Sequence, residues 1–179
     1  MLFGESRVQE AKVKIPLLPS QVRWHFIGHL QRNKVRQALP LFEMFHGIDS
    51  MALASDINRI AAETGAHPRI LLEVNLAGEA SKFGFTPDSL CQDFERLLGL
   101  ERVQVEGLMI IPPVAENPED SRRYFAALRG LRDSLQNQFQ VVLPHLSMGM
   151  SSDFEVAVEE GATLVRVGTA LFGERKVEG

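Results

Sequence analysis

The chain carries one cysteine, no long uninterrupted apolar run and no strong excess of either charge. Each shortage removes a class of function. The lone Cys91 cannot close an internal disulfide, so the fold is not a disulfide scaffold. Beside Leu90, Phe94 and Leu97 it reads as a structural thiol rather than a nucleophile. The five histidines are scattered without metal-ligand spacing and no Cys/His cluster exists, so no metal is expected. Short apolar runs interrupted by charge give neither a secretory leader nor a membrane span, and a cytoplasmic location is expected. With 19 Lys+Arg against 23 Asp+Glu the balance is −4, which offers no electrostatic footprint for nucleic acid. The basic cluster Arg32-Asn33-Lys34-Val35-Arg36 reads as a solvated helix face.

What is present is an alternation. With 179 residues, 45% of them hydrophobic, the chain can bury a sizeable core as one domain over residues 1–179. Strand-like runs recur at Trp24–Ile27, Met44–Ile48, Ile70–Val74, Val105–Ile110, Val141–Ser147 and Leu164–Val167, most of them bounded by Gly, Pro, Asn or Asp. Helical patterns separate them. Leu53, Ile57, Ile60 and Ala61 fall on one face, as do Tyr124, Leu128, Leu131 and Leu135. Thr86 before Pro87 and Asn117 before Pro118 place a capping side chain ahead of a proline, and Ser152 with Glu155 forms a capping box. Strand, loop and helix in this order call for parallel strands joined by crossover helices.

Two segments mark a site. Ser147-Met148-Gly149-Met150-Ser151-Ser152-Asp153 and Arg166-Val167-Gly168-Thr169 each follow an apolar run and put small residues where a strand hands over to a helix. Such turns aim backbone N–H groups at one phosphate at the end of a parallel barrel. Ser151, Gly168 and Thr169 suit that phosphate, because small residues let the backbone approach and hydroxyls add hydrogen-bonding capacity.

These residues carry a more specific likeness. Phe3-Gly4-Glu5-Ser6-Arg7-Val8-Gln9-Glu10, Trp24-His25-Phe26-Ile27-Gly28-His29-Leu30-Gln31-Arg32-Asn33-Lys34, Gly107-Leu108-Met109-Ile110-Ile111-Pro112-Pro113, Leu146 through Asp153, and Arg166 through Gly173 resemble motifs of the pyridoxal phosphate homeostasis protein family, in its order and spacing. The resemblance implies an α/β fold: a (β/α)8, TIM-barrel-like domain similar to the N-terminal domain of alanine racemase, the fold-type III class of pyridoxal phosphate proteins. It implies pyridoxal 5′-phosphate as the cofactor, held in relatives through a lysine Schiff base, and a non-catalytic role in vitamin B6 and amino-acid or keto-acid homeostasis. By the same likeness Arg166 faces the pyridine nitrogen, Met109 packs against the ring, Met148 packs against the turn, and His29 closes a strand and points toward the ligand. A cation at the pyridine nitrogen weakens the electron sink, which suits holding better than fast carbanion chemistry. A barrel-interior ion pair is the alternative for Arg166.

The chain also departs from the family pattern. The cofactor lysine of relatives lies in a Val-Ser-Lys-type segment ahead of the Phe-Gly-Glu motif, and here Phe3 is preceded by two residues. The expectation is a barrel without its first βα unit, incomplete at the N-terminus and without the Schiff-base lysine, so that covalent attachment is not supported. Counting agrees: six internal runs and a remnant at Leu2–Gly4 make seven strands, whereas a closed barrel needs eight. Lys82 stands on a loop similar to one that approaches the cofactor, where electrostatic contact is expected rather than an imine, because imine formation needs a neutral amine held at the aldehyde. Ser6 replaces the asparagine usual in Phe-Gly-Glu-Asn, and Gly47 stands where a small hydroxyl residue is common. The expected partner is the small-molecule cofactor, without nucleic acid or membrane. A monomer is expected for the family, with self-association at the open seam. The competing readings are a racemase-like enzyme of the same fold and a non-binding fragment from a misplaced gene start.

Overall fold

A computed structural model describes residues 1–79 and 83–173. Seven strands alternate with helices: β1 (Leu2–Glu5), α1 (Val8–Lys14), β2 (Arg23–Phe26), α2 (Val35–Ala38), β3 (Met44–Ile48), α3 (Met51–Thr64), β4 (Arg69–Glu73), α4 (Pro87–Leu98), β5 (Gln104–Met109), α5 (Arg122–Phe139), β6 (His145–Met150), α6 (Phe154–Glu159), β7 (Leu164–Arg166) and α7 (Thr169–Phe172). All neighbours in the sheet are parallel and follow chain order from β1 to β7. This is the seven-stranded, nearly closed α/β barrel expected from the alternation.

The helix boundaries have local causes. Ser50 accepts from the Leu53 N–H and starts α3, which stops at Gly65 with φ of 73°, a left-handed conformation glycine adopts without strain. Thr86 accepts from the Ser89 N–H ahead of Pro87, as the sequence predicts. Asn117 likewise caps at Glu119, opening a short 3₁₀ turn over Pro118–Ser121 that runs into α5. The capping box at Ser152 does not form. Asp153 is the residue before α6, and its carboxylate instead accepts from the Met150 N–H at 2.7 Å, closing the turn after β6.

The strands from β2 to β6 alternate between the helix-facing and the interior side. Phe26, Phe45, Leu72, Leu108, Leu146 and Met148 face the helices and share a continuous apolar layer with Leu53, Ile57, Leu90, Phe94 and Leu128. Burying each of these large side chains contributes roughly 1.5–3 kcal/mol. Met44, Leu71 and Met109, with Leu164 against them, form a separate small cluster on the opposite face, inside the barrel. Cys91 is exposed on α4, not part of the buried stripe of Leu90, Phe94 and Leu97, because it lies one residue off that stripe. The basic cluster pairs with α3, Arg32 with Asp56 and Arg36 with Glu63.

The sixth strand is displaced from the sequence expectation. Val141–Leu143 is irregular and Val142 is 80% exposed, while the strand begins beyond Pro144 at His145. Among the described residues β1 and β7 do not pair, and each of these two edge strands has a neighbour on one side only. Phe172 of α7 leans over this seam with its ring centroid 6.4 Å from that of Phe3, which in turn stacks on Trp24 at 5.5 Å. Among the described residues, no helix is long and apolar enough to cross a membrane.

Candidate functional site

The ends of β6 and β7 meet at one cavity. Gly149, with φ of 92°, lets the chain turn sharply after β6; a Cβ there would come within 2.6 Å of the Ala157 methyl. Ser151 follows in the turn. Its Oγ accepts from the Gly168 N–H at 3.2 Å and the Ala170 N–H at 3.3 Å, so two backbone donors converge on one oxygen. Ser151, Ser152, Arg166, Gly168, Thr169 and Ala170 line a cavity of about 700 Å³ here.

Arg166 is held by neutral oxygens. Nη1 donates to Ser147 Oγ at 2.7 Å and Nη2 to the Ile110 carbonyl at 2.8 Å. Burial pushes its guanidinium down to about 10, while the charges of Glu73 and Asp153 oppose the fall, so it stays a cation at neutral pH. The interior ion pair weighed for this arginine is thus replaced by two hydrogen bonds, with the carboxylates acting as neighbouring charges. Glu73, at the end of β4, is pushed up to about 7 by burial and by Asp49, against the pull of Arg166.

The polar layer continues inward. Ser147 Oγ lies 2.8 Å from His46 Nδ1, and His46 Nε2 lies 2.9 Å from His25 Nδ1. His25, His46 and Ser147 are all buried, and among the described residues His25 Nε2 has no hydrogen-bond partner. Burial lowers both imidazoles, His25 to about 4 and His46 well below the usual histidine range. The sequence reading passed over His25, His46, Ser147 and Glu73 as site residues. The available signal was polar residues inside otherwise apolar strands, where burial demands a partner.

The other expected residues fall at several places. Met109 is buried in the interior cluster and in register with Ser147, below the Arg166 guanidinium's anchor. Met148 faces the helices, because it alternates with Ser147 and Gly149 along β6. His29 lies beyond the end of β2, its ring stacked on Phe83 at 3.8 Å and Nδ1 3.1 Å from Asp49. Lys82 lies outside the described residues. Ser6 donates its backbone N–H to the Glu5 carboxylate. A Cβ on Gly47 would approach the Gly28 carbonyl oxygen to 2.7 Å and Glu73 Oε2 to 3.3 Å, so the strand ends leave little room there for a side chain.

Comparison with known proteins places the chain in a family. The family "Alanine racemase, N-terminal domain" matches residues 2–176. A pyridoxal phosphate homeostasis protein of Aquifex aeolicus is 52% identical over 176 residues, 98% of this chain and 77% of the relative. One from Synechocystis is 40% identical, over 97% of this chain and 80% of the relative. The solved structure of PipY from Synechococcus elongatus without pyridoxal phosphate superposes with a TM-score of 0.90 at 44% identity, over 96% of this chain and 81% of PipY; with the cofactor bound, the TM-score is 0.87 at 43% identity, over the same shares of the two chains. Alanine racemase of Clostridium difficile, 17% identical with a TM-score of 0.78 over 99% of this chain and 46% of the enzyme, shares the fold. By identity, coverage and fold, the chain belongs to the pyridoxal phosphate homeostasis protein family.

Proposed function

We propose that this chain binds pyridoxal 5′-phosphate without turning it over and takes part in cytoplasmic vitamin B6 and amino-acid or keto-acid homeostasis. One observation carries the reading: a cation at the end of β7 and two converging backbone N–H groups share a single cavity. Those residues fit the group. The Ser151 hydroxyl marks where one anionic oxygen finds the Gly168 and Ala170 donors, and the Ser151 and Thr169 hydroxyls add capacity for the other phosphate oxygens. Arg166 answers the pyridine nitrogen, and Met109 supplies an apolar floor beneath it. Met148 stiffens the turn from the helix side, and His29 lies at the rim beside Asp49.

When bound, the group supplies an aldehyde that captures amines and an electron-withdrawing ring. What this chain does is hold and orient. Because Arg166 remains cationic, it keeps a facing pyridine nitrogen unprotonated, which limits carbanion stabilisation. The likeness to alanine racemase is one of fold.

Calorimetric titration of pyridoxal phosphate and of inorganic phosphate tests the reading. Ser151→Ala and Thr169→Val are expected to weaken both ligands about tenfold each, the scale of one charge-assisted hydrogen bond. Arg166→Gln should weaken pyridoxal phosphate and spare inorganic phosphate. Affinities equal to those of the unmodified chain in all three variants would place the site elsewhere.

A further inference from the structure

We propose that His46 is a positioning residue for the ring of the bound ligand: through Ser147 it fixes the orientation of the Arg166 guanidinium, and His25 fixes the tautomer of His46. This rests on the assignment of Arg166 to the ring nitrogen.

The direction of the hydrogen bonds follows from what each group can do. A guanidinium only donates, so Ser147 Oγ accepts from Arg166. The remaining hydroxyl hydrogen has one partner within reach among the described residues, His46 Nδ1 at 2.8 Å. His46 therefore accepts at Nδ1 and carries its proton on Nε2, which donates to His25 Nδ1 at 2.9 Å. His25 then carries its own proton on Nε2, the buried nitrogen left without a partner. The opposite assignment, with His46 Nδ1 donating, gives Ser147 two incoming hydrogens and strands its own hydroxyl proton. The relay thus has one orientation in which every hydrogen between Arg166 and His25 is used.

Its surroundings keep it that way. Ser147 is 0% exposed, His46 2% and His25 5%, and Met44, Leu71 and Met109 close the same interior face. With water excluded, a hydroxyl turned the wrong way finds no substitute acceptor, so the serine cannot swing without losing a bond. Among the described residues the donor on His25 is unpaired, a cost that an apolar residue at this interior position would not incur. Arg166 gains in exchange a fixed oxygen acceptor from β6 in addition to the Ile110 carbonyl.

The test compares pyridoxine 5′-phosphate with its benzene analogue, in which C–H replaces the ring nitrogen, by calorimetry on the whole chain. His46→Gln keeps a donor where Nε2 was and removes the acceptor facing Ser147. It is expected to lower affinity for pyridoxine phosphate about tenfold and leave the benzene analogue unchanged. His46→Asn puts an oxygen where Nδ1 was and should recover most of the preference for the pyridine. Ser147→Ala should match His46→Gln, and the double variant should lose no more than either alone. Thermal unfolding of each variant identifies the folded ones; if His46→Gln does not fold, the smaller Ser147→Ala change carries the comparison. Equal behaviour of the Gln and Asn variants, a parallel loss for the benzene analogue, or additive losses in the double variant would overturn the inference. If Arg166→Gln leaves the pyridine preference intact, the ring-nitrogen assignment itself falls. If Arg166→Gln abolishes it while His46→Gln and Ser147→Ala do not, only the relay falls.

Discussion

Arg166 and Ser147 join β7 to the barrel interior through a 2.7 Å hydrogen bond from Nη1 to Oγ. The serine is fully buried, so removing its hydroxyl leaves a guanidinium N–H and an imidazole nitrogen facing each other's absence. Ser147→Ala is therefore expected to cost about 1–3 kcal/mol, the price of stranding buried polar groups. Urea denaturation measures it. A loss below a few tenths would show that the two groups find other partners.

Glu73 and His25 give stability opposite dependences on pH. Glu73 is raised to about 7 in the folded chain from an ordinary 4.5, so the folded state holds the extra proton and stability falls as pH rises through that window. His25 is lowered to about 4 from 6.5, so the unfolded state holds the extra proton and stability falls as pH drops through that window. Between the two the slopes oppose. Glu73→Gln should leave a melting temperature that rises with pH from about 4.5 to 6.5, and should stabilise the chain most at pH 8. Replacing both lowered imidazoles, His25→Asn together with His46→Asn, should leave one that declines over the same range. Thermal scans across pH decide both, and parallel profiles for the two variants would contradict the assignment.

Gly107 has no room for a side chain. A Cβ would overlap the His145 carbonyl oxygen on the adjacent strand, where Gly107 and His145 are paired in register. Gly107→Ala should cost at least 1–3 kcal/mol, roughly the overpacking range, because backbone must move apart. Loss of soluble folded protein or a large fall in urea midpoint is the expected result.

Pyridoxal phosphate bound to this chain is expected to be non-covalent. Lys14 lines the seam groove beside Thr169, yet its ammonium donates to Glu10 at 2.8 Å and Glu5 at 2.6 Å, and these bonds hold its pKa above the usual lysine value. A protonated amine does not attack an aldehyde. Borohydride reduction followed by peptide mass spectrometry should find no dominant lysine adduct. A stoichiometric adduct on Lys14 or Lys82 would refute this.

The seam between β1 and β7 is expected to drive self-association. Among the described residues two strand edges are unpaired there, and Phe172 is 71% and Val165 40% exposed beside an apolar groove of about 710 Å³. Sedimentation should show mass increasing with concentration, and Val165→Lys on the β7 edge should suppress it. A concentration-independent monomer would mean that α7 shields the edge.

Local chemistry made much of this protein legible in its sequence. Thr86 and Asn117 mark helix starts because a short oxygen-bearing side chain before proline satisfies backbone donors that no other part of the chain can reach. The glycines and serines of the two turns identify the cavity because the Ser151 hydroxyl of one turn accepts from the backbone donors of Gly168 and Ala170 in the other. Ser152 misled because Asp153, not serine, is the residue before α6, and its side chain bonds back to the Met150 N–H and leaves the helix without a side-chain cap. The sequence could not show that His46 meets Ser147, because 101 residues separate them and their contact exists only when β3 and β6 curve to face each other across the barrel. Alternation along a strand determines which residues share a face, whereas closure of the sheet determines which faces touch. Burial, and with it the pKa shifts of Glu73, His25 and Arg166, follows from that closure alone.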